Sequence, residues 1–244
     1  MATARLDISY VGTRFAGWAA QPGQRTVQAA LESALAQITG ESIELTVAGR
    51  TDAGVHATGQ VASFVHRRDL PDRLAERLNA VLPPDVAVNT AAPAPEGFDA
   101  RHDARSRTYR YRVLTGPVRD PFEQGRALWW RYPVDRAALE ACAEAVIGRH
   151  DFTAFTPTQT GHRLFERNVE ECRWVEERPE LLAMLITAPS FMRSQVRVLV
   201  GTMLEVAGNR RSLDDFRSLL AGAPRARAGE TAPPQGLCLV AVSY

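Results

Sequence analysis

Apolar residues change their spacing several times along this chain, and that switching limits the folds open to it. They alternate over residues 3–10, then recur every three to four positions at Val27, Leu31, Ala34, Leu35 and Ile38. Strand-like runs follow at Ile43–Ala48 and Val61–Val65. Alternation marks a strand with one buried face, and the wider spacing marks an amphipathic helix. Thr26 stands where the helix needs an N-cap and Gly40 where it stops. Pro71 opens a second helix through Leu74, Leu78 and Val81 that ends at Pro83-Pro84, and Val86–Thr90 is a fourth strand. The order is βαββαβ, that of a ferredoxin-like unit. Beyond an Ala- and Pro-rich loop at 91–97 the order repeats with larger insertions. It runs through strand Thr108–Leu114, helix Asp135–Ile147, a hairpin of Val169–Val175 and Leu181–Thr187, helix Met192–Ala207, a shorter helix Leu213–Leu220 and a closing strand Gly236–Val242. The prediction is an α+β chain of two ferredoxin-like halves, residues 1–103 and 104–244, with adjoining antiparallel sheets and a basic cleft between them.

Hydrophobic residues make up 45% of the 244, enough for a true core. No apolar run approaches the ~20 residues of a membrane span, and the first residues lack the apolar stretch of a signal peptide. Cys142, Cys172 and Cys238 are far apart and odd in number, which fits reduced thiols in a cytoplasmic protein. Net charge is only +1, and all 29 cations are arginine. Their distribution says more than their sum. Residues 101–112 hold five arginines against Asp103, whereas residues 163–180 hold four against six glutamates. Such sorting suits a one-sided surface for an anion, and chance clustering of solvated charge would look the same.

Three stretches could do chemistry. The loop Ala48-Gly49-Arg50-Thr51-Asp52-Ala53-Gly54-Val55-His56 sets a carboxylate, a guanidinium and a hydroxyl between two glycines that let backbone and ligand approach closely. An ordinary turn, with Asp52 bonding its own backbone, is the competing account. On Arg107–Arg112, Tyr109, Tyr111 and Val113 share one face of a strand, and Arg110 and Arg112 the other. Aromatic rings interleaved with arginines suit base stacking beside phosphate binding, although a half-buried strand would put at least one tyrosine in the core. In Phe191–Gly201, Arg197 sits among valines, where a cation calls for an anionic partner or an escape to water. His56, His66, His102, His150 and His162 show no metal-ligand spacing, and there is no phosphate-cradling loop, dinucleotide fingerprint or nucleophile elbow.

These stretches resemble the tRNA pseudouridine synthase A family. The match centres on AGRTDAGVHATGQVASF at 48–64 and continues in residues 7–32, FDAR at 98–101, RTYRYRV at 107–113, GRHDFTAF at 148–155, SFMRSQVRVLVGTMLEVAGNR at 190–210 and GLCLVAVSY at 236–244. The resemblance implies two ferredoxin-like halves about a basic cleft and a homodimer. It implies conversion of uridines 38, 39 and 40 of the tRNA anticodon stem-loop to pseudouridine, with no cofactor and no metal. It assigns Asp52 as the catalytic aspartate, Tyr109 as the active-site tyrosine, Arg50 as the arginine of the flipped nucleotide and Arg197 as the aspartate's partner. Ser194-Gln195 departs from the His-Met common in relatives, and Val198 from their Asn or Ser. The alternatives are a synthase of the same fold acting on another RNA or a free nucleotide, and a non-catalytic RNA-binding module.

Overall fold

The computed structural model describes residues 2–67, 69–159, 161 and 163–244, so His162 lies outside the described residues. In chain order the elements are β1 (Ala2–Tyr10), α1 (Val27–Thr39), β2 (Thr46–Val47), β3 (His56–His66), α2 (Leu74–Val81), β4 (Val86–Ala94), β5 (Ser106–Leu114) and β6 (Leu128–Trp129). Then come α3 (Arg136–Val146), β7 (Gly148–Asp151), β8 (Glu166–Val169), β9 (Glu171–Arg178), β10 (Leu181–Ala188), α4 (Gln195–Ala207), α5 (Leu213–Leu219) and β11 (Leu237–Ser243). The fold is α+β, with antiparallel and parallel strand pairs mixed. It divides into two compact units, Met1–Arg107 with Cys238–Tyr244, and Thr108–Leu237. The closing strand, expected in the second half, therefore packs with the first unit. Cys238 and Leu239 pair in parallel with His56 and Ala57 of β3.

In the first unit β1 pairs antiparallel with both β3 and β4, and β2 joins β3, giving the order β4-β1-β3-β2. Alternation along β1 buries Leu6 and Ile8 completely, and α1 brings Leu31 and Leu35 to the same core. The Thr26 hydroxyl accepts from the Ala29 N–H, and Gly40 ends α1 in the left-handed region at φ 70°. Two boundaries differ from expectation. Only Thr46–Val47 of the expected strand at 43–48 makes a ladder, because Ile43 and Leu45 are buried without strand pairing. Strand β4 runs on through Pro93, which pairs with Ala4. Among the described residues β4 pairs with β1 alone, and an outer strand tolerates a proline that lacks an N–H.

In the second unit β5, β10 and β9 are neighbours in that order, β6 lies parallel to β5, and β7 and β8 form a separate ribbon. Helix α3 packs on α4 and β9 over a core that includes Leu139, Phe152, Phe155 and Phe216. Helix α4 begins at Gln195 rather than Met192, since Ser194 stands in the left-handed region at φ 59°. All three cysteines are buried and free. Among the described residues no helix is long and apolar enough to cross a membrane.

Candidate active site

Between β2 and β3 the chain makes no ladder, so the backbone groups of residues 48–55 must find partners elsewhere. Gly49 O receives the Gln60 carboxamide at 2.7 Å. Gln60 is fully buried and also donates to the Tyr10 hydroxyl at 3.3 Å, which lies 2.7 Å from the Thr51 hydroxyl. Thr51 O accepts from Trp18 N at 3.0 Å, and Gly54 N donates to Phe15 O at 3.3 Å. Arg107 gives Ala48 O two N–H groups, at 3.1 and 2.7 Å. Both neighbours of Arg50 are thus pinned inward, leaving its side chain exposed. Asp52 follows, partly buried, and its carbonyl closes a turn with Val55 N at 3.2 Å. The turn account of this loop is correct for the backbone, which closes through main-chain atoms.

The segment after β1 fits closely under this loop. A Cβ on Gly12 would lie 1.9 Å from Val55 O, and one on Gly17 (φ +105°) would lie 2.9 Å from Thr51 O. Gly12 N donates to Nδ1 of buried His56 at 3.0 Å, which requires that nitrogen to be unprotonated.

In the second unit, β5 meets the start of α4. Tyr109 is 9% exposed, and its ring stands edge-on to Phe191, centroids 5.2 Å apart at 90°. Tyr111 is fully buried, and its hydroxyl donates to Pro233 O at 2.8 Å. Burial pushes the Tyr111 phenol well above its ordinary range, partly offset by the nearby Arg197 charge. Tyr111 is therefore the core tyrosine, while Tyr109 keeps slightly more exposure. Arg197 donates from Nε to Ala232 O at 2.8 Å, and Ala232 N returns a bond to Arg197 O at 3.1 Å. The expected sites fall in two sets: Asp52 and Arg50 in the first unit, Tyr109 and Arg197 in the second.

The arginine cluster at 101–112 needs correction as a phosphate track. Arg110 pairs with Glu177 at 3.2 Å, and Arg112 pairs with Glu177 and Glu123, each at 2.7 Å. Arg107 is committed to the Ala48, Ala104 and Arg101 carbonyls. Part of the cluster is thus neutralised within the fold, because Arg110 and Arg112 on β5 reach Glu177 on β9, with β10 between the two strands. Arg101 and Arg105 stay exposed, with no carboxylate partner among the described residues. Among the described residues no three His, Cys, Asp or Glu side chains converge as metal ligands. Sequence reasoning missed Gln60, Tyr10 and Trp18 as supports of the loop. A glutamine reads as a surface residue, and only its burial reveals the role.

A family profile described as tRNA pseudouridine synthase matches residues 8–103 and 142–244, spans that include Arg50, Asp52 and Arg197. The tRNA pseudouridine synthase A of Geobacter sp. (strain M21) is 39% identical over 246 residues, covering 100% of this chain and 99% of that protein. The enzyme of the same description from Halalkalibacterium halodurans is 41% identical, covering 95% of this chain and 89% of its own. That from Bradyrhizobium sp. (strain BTAi1) is 42% identical and covers 98% of each. A crystal structure of a Cbf5-Nop10-Gar1 complex is similar over 83% of this chain and 54% of that one, at TM-score 0.36 and 11% identity, a likeness too slight to carry any argument.

Proposed function

Since this chain belongs to the tRNA pseudouridine synthase family, and is an isomerase that modifies tRNA, we propose that it converts uridines 38, 39 and 40 of the anticodon stem-loop to pseudouridine, with Asp52 as nucleophile. The observation that carries this reading is the loop itself. Its carboxylate is partly buried, on a backbone held from Gly49 to Gly54 by partners in β1, β3 and the segment after β1. A group fixed before substrate arrives needs no reorganisation during the reaction.

The chemistry balances within the substrate. The N1–C1′ bond breaks, the uracil turns, a C5–C1′ bond forms, C5 loses its proton and N1 regains one. No electrons are exchanged with a partner. Ionised Asp52 attacks C1′ and holds the sugar while the base turns. Tyr109, packed against Phe191, stacks on the uracil, and its hydroxyl relays the C5 proton, taking it up while passing its own on toward N1. Arg50, held outward by its pinned neighbours, fills the gap left by the extruded nucleotide, whose unstacking costs a few kcal/mol. Arg197 is the cation assigned as the partner of Asp52. The strand order β4-β1-β3-β2 supports a ferredoxin-like first half, and the proposal carries with it a matching second half and a homodimer.

The test is a tRNA transcript bearing uridines at 38–40, incubated with the protein and mapped for pseudouridine. Product at those positions is expected. Asp52→Asn should lower turnover by on the order of 10³-fold or more while tRNA affinity holds. Normal turnover by that variant would overturn the assignment, and product only on another RNA would overturn the substrate.

A further inference from the structure

Several arginines of the second unit are neutralised by carboxylates, Arg110, Arg112, Arg136 and Arg178 among them. Arg131 and Arg210 are placed differently, over a pair of touching aromatic rings. The Arg210 guanidinium lies 5.1 Å from the Trp130 ring centroid, and that of Arg131 lies 5.3 Å from the Tyr132 centroid. The two rings stand edge to face, centroids 5.3 Å apart at 70°. Both arginines are exposed, Tyr132 is 50% exposed, and neither cation has a carboxylate partner among the described residues. Asp135, four residues after Arg131, is turned to the start of α3, where its carboxylate accepts from Ala138 N.

We propose that Trp130, Arg131, Tyr132 and Arg210 form a second RNA contact, which stacks an unpaired base and holds its neighbouring phosphates on the same tRNA. Aromatic faces flanked by guanidinium planes are what single-stranded RNA stacks on, and unneutralised arginines are what phosphates require. The backbone beneath the platform is tied to regular structure: Trp130 N is bonded to Leu114 O of β5 at 2.7 Å, and Arg210 N to Glu205 O of α4 at 2.9 Å. Arg210 also offsets the negative end of the α4 dipole, which would otherwise repel a phosphate. Helix α4 separates this place from Arg197. From Arg197 to Ala207 the helix rises about 15 Å, roughly four phosphates along one strand, so one RNA can reach both. The inference rests on the proposed function only in naming tRNA as the RNA bound.

The experiment is a titration of the full chain with tRNA transcript across a range of salt, using Tyr132→Ser combined with Arg210→Gln, and separately Arg131→Gln. The double variant should bind tRNA roughly tenfold more weakly, with KM raised and kcat within twofold. Its log–log salt slope should become shallower by about one unit. Arg131→Gln, at an exposed position with little bearing on folding, should flatten the slope even if the double variant is destabilised. Unchanged affinity and slope in Arg131→Gln and in a stably folded double variant would overturn the proposal. So would a change confined to oligomeric state, which would mark the patch as a protein contact. A wild-type protein that binds tRNA but makes no pseudouridine would sink the parent function and leave the platform to be judged by the titration alone.

Discussion

The Asp52 loop and the tyrosine strand reach fixed positions by opposite means. Strand β5 is held by its own ladder and by adjoining side chains, with Tyr111 anchored on Pro233 O and Tyr109 packed on Phe191. The loop between β2 and β3 has no ladder, and its carbonyls are held by Gln60, Trp18 and Arg107, residues spread over much of the first unit. The lesson concerns sensitivity. A side chain on a regular strand answers mainly to its neighbours. A carboxylate on an irregular loop answers to any remote residue that holds the backbone, including residues that never touch substrate.

The largest effect that tests this contrast is expected from Gly12→Ala. A Cβ 1.9 Å from Val55 O forces the loop to move. Stability should fall by about 3 kcal/mol and turnover by about 100-fold, since small misplacements of a reacting group are costly. Denaturant midpoints and single-turnover rates would measure both. Wild-type rates from the folded variant would break the comparison. Gln60→Leu nearly conserves volume but leaves Gly49 O without its carboxamide partner, a loss of about 1–3 kcal/mol. Its turnover should drop about tenfold at unchanged KM. A rise in KM alone would mean that the loop binds substrate rather than positions the carboxylate.

On the strand side, Tyr111→Phe loses one hydrogen bond and should cost only about 1 kcal/mol, with turnover near wild type. The same variant has a signature in alkali. Burial lifts the Tyr244 phenol from 10.0 to about 12 and Tyr111 further. A raised folded value means that the unfolded chain gives up its proton first. The contribution is therefore intact below about pH 10 and is lost as pH climbs toward the folded values. Cys142 and Cys172, lifted by burial from 9.0 to about 12, add to the same decline from lower pH. Replacing Tyr111 should remove part of the alkaline slope in stability and leave the part due to Tyr244 and the thiols. An unchanged slope would show that Tyr111 is not shielded from water as described.

Much of the fold was legible because period and punctuation are local properties. Residues 3–10 alternate, and they form β1; Thr26 and Gly40 bound α1 as their chemistry requires. The Asp52 loop was legible too, from two glycines around a carboxylate. Other features depended on partners distant in sequence. Residues 56–60 do not alternate, yet they belong to β3 because Tyr10 of β1 and Cys238 of β11 pair along them. Pro93 continues β4 because that strand pairs on one side only among the described residues.

Sequence by itself determined the family, the residues that could act and most of the element order, though not the short strands β6, β7 and β8, since motif and spacing are local while those strands are set by their partners. Only the tertiary structure decided which charges remain available. Arg110 and Arg112 look like a phosphate track until β9 sets Glu177 beside them, whereas Arg131 and Arg210, unremarked in the sequence, come to lie on exposed rings. The reason is the short range of ion pairing: a carboxylate neutralises an arginine within a few ångströms of space, however far apart the two stand along the chain.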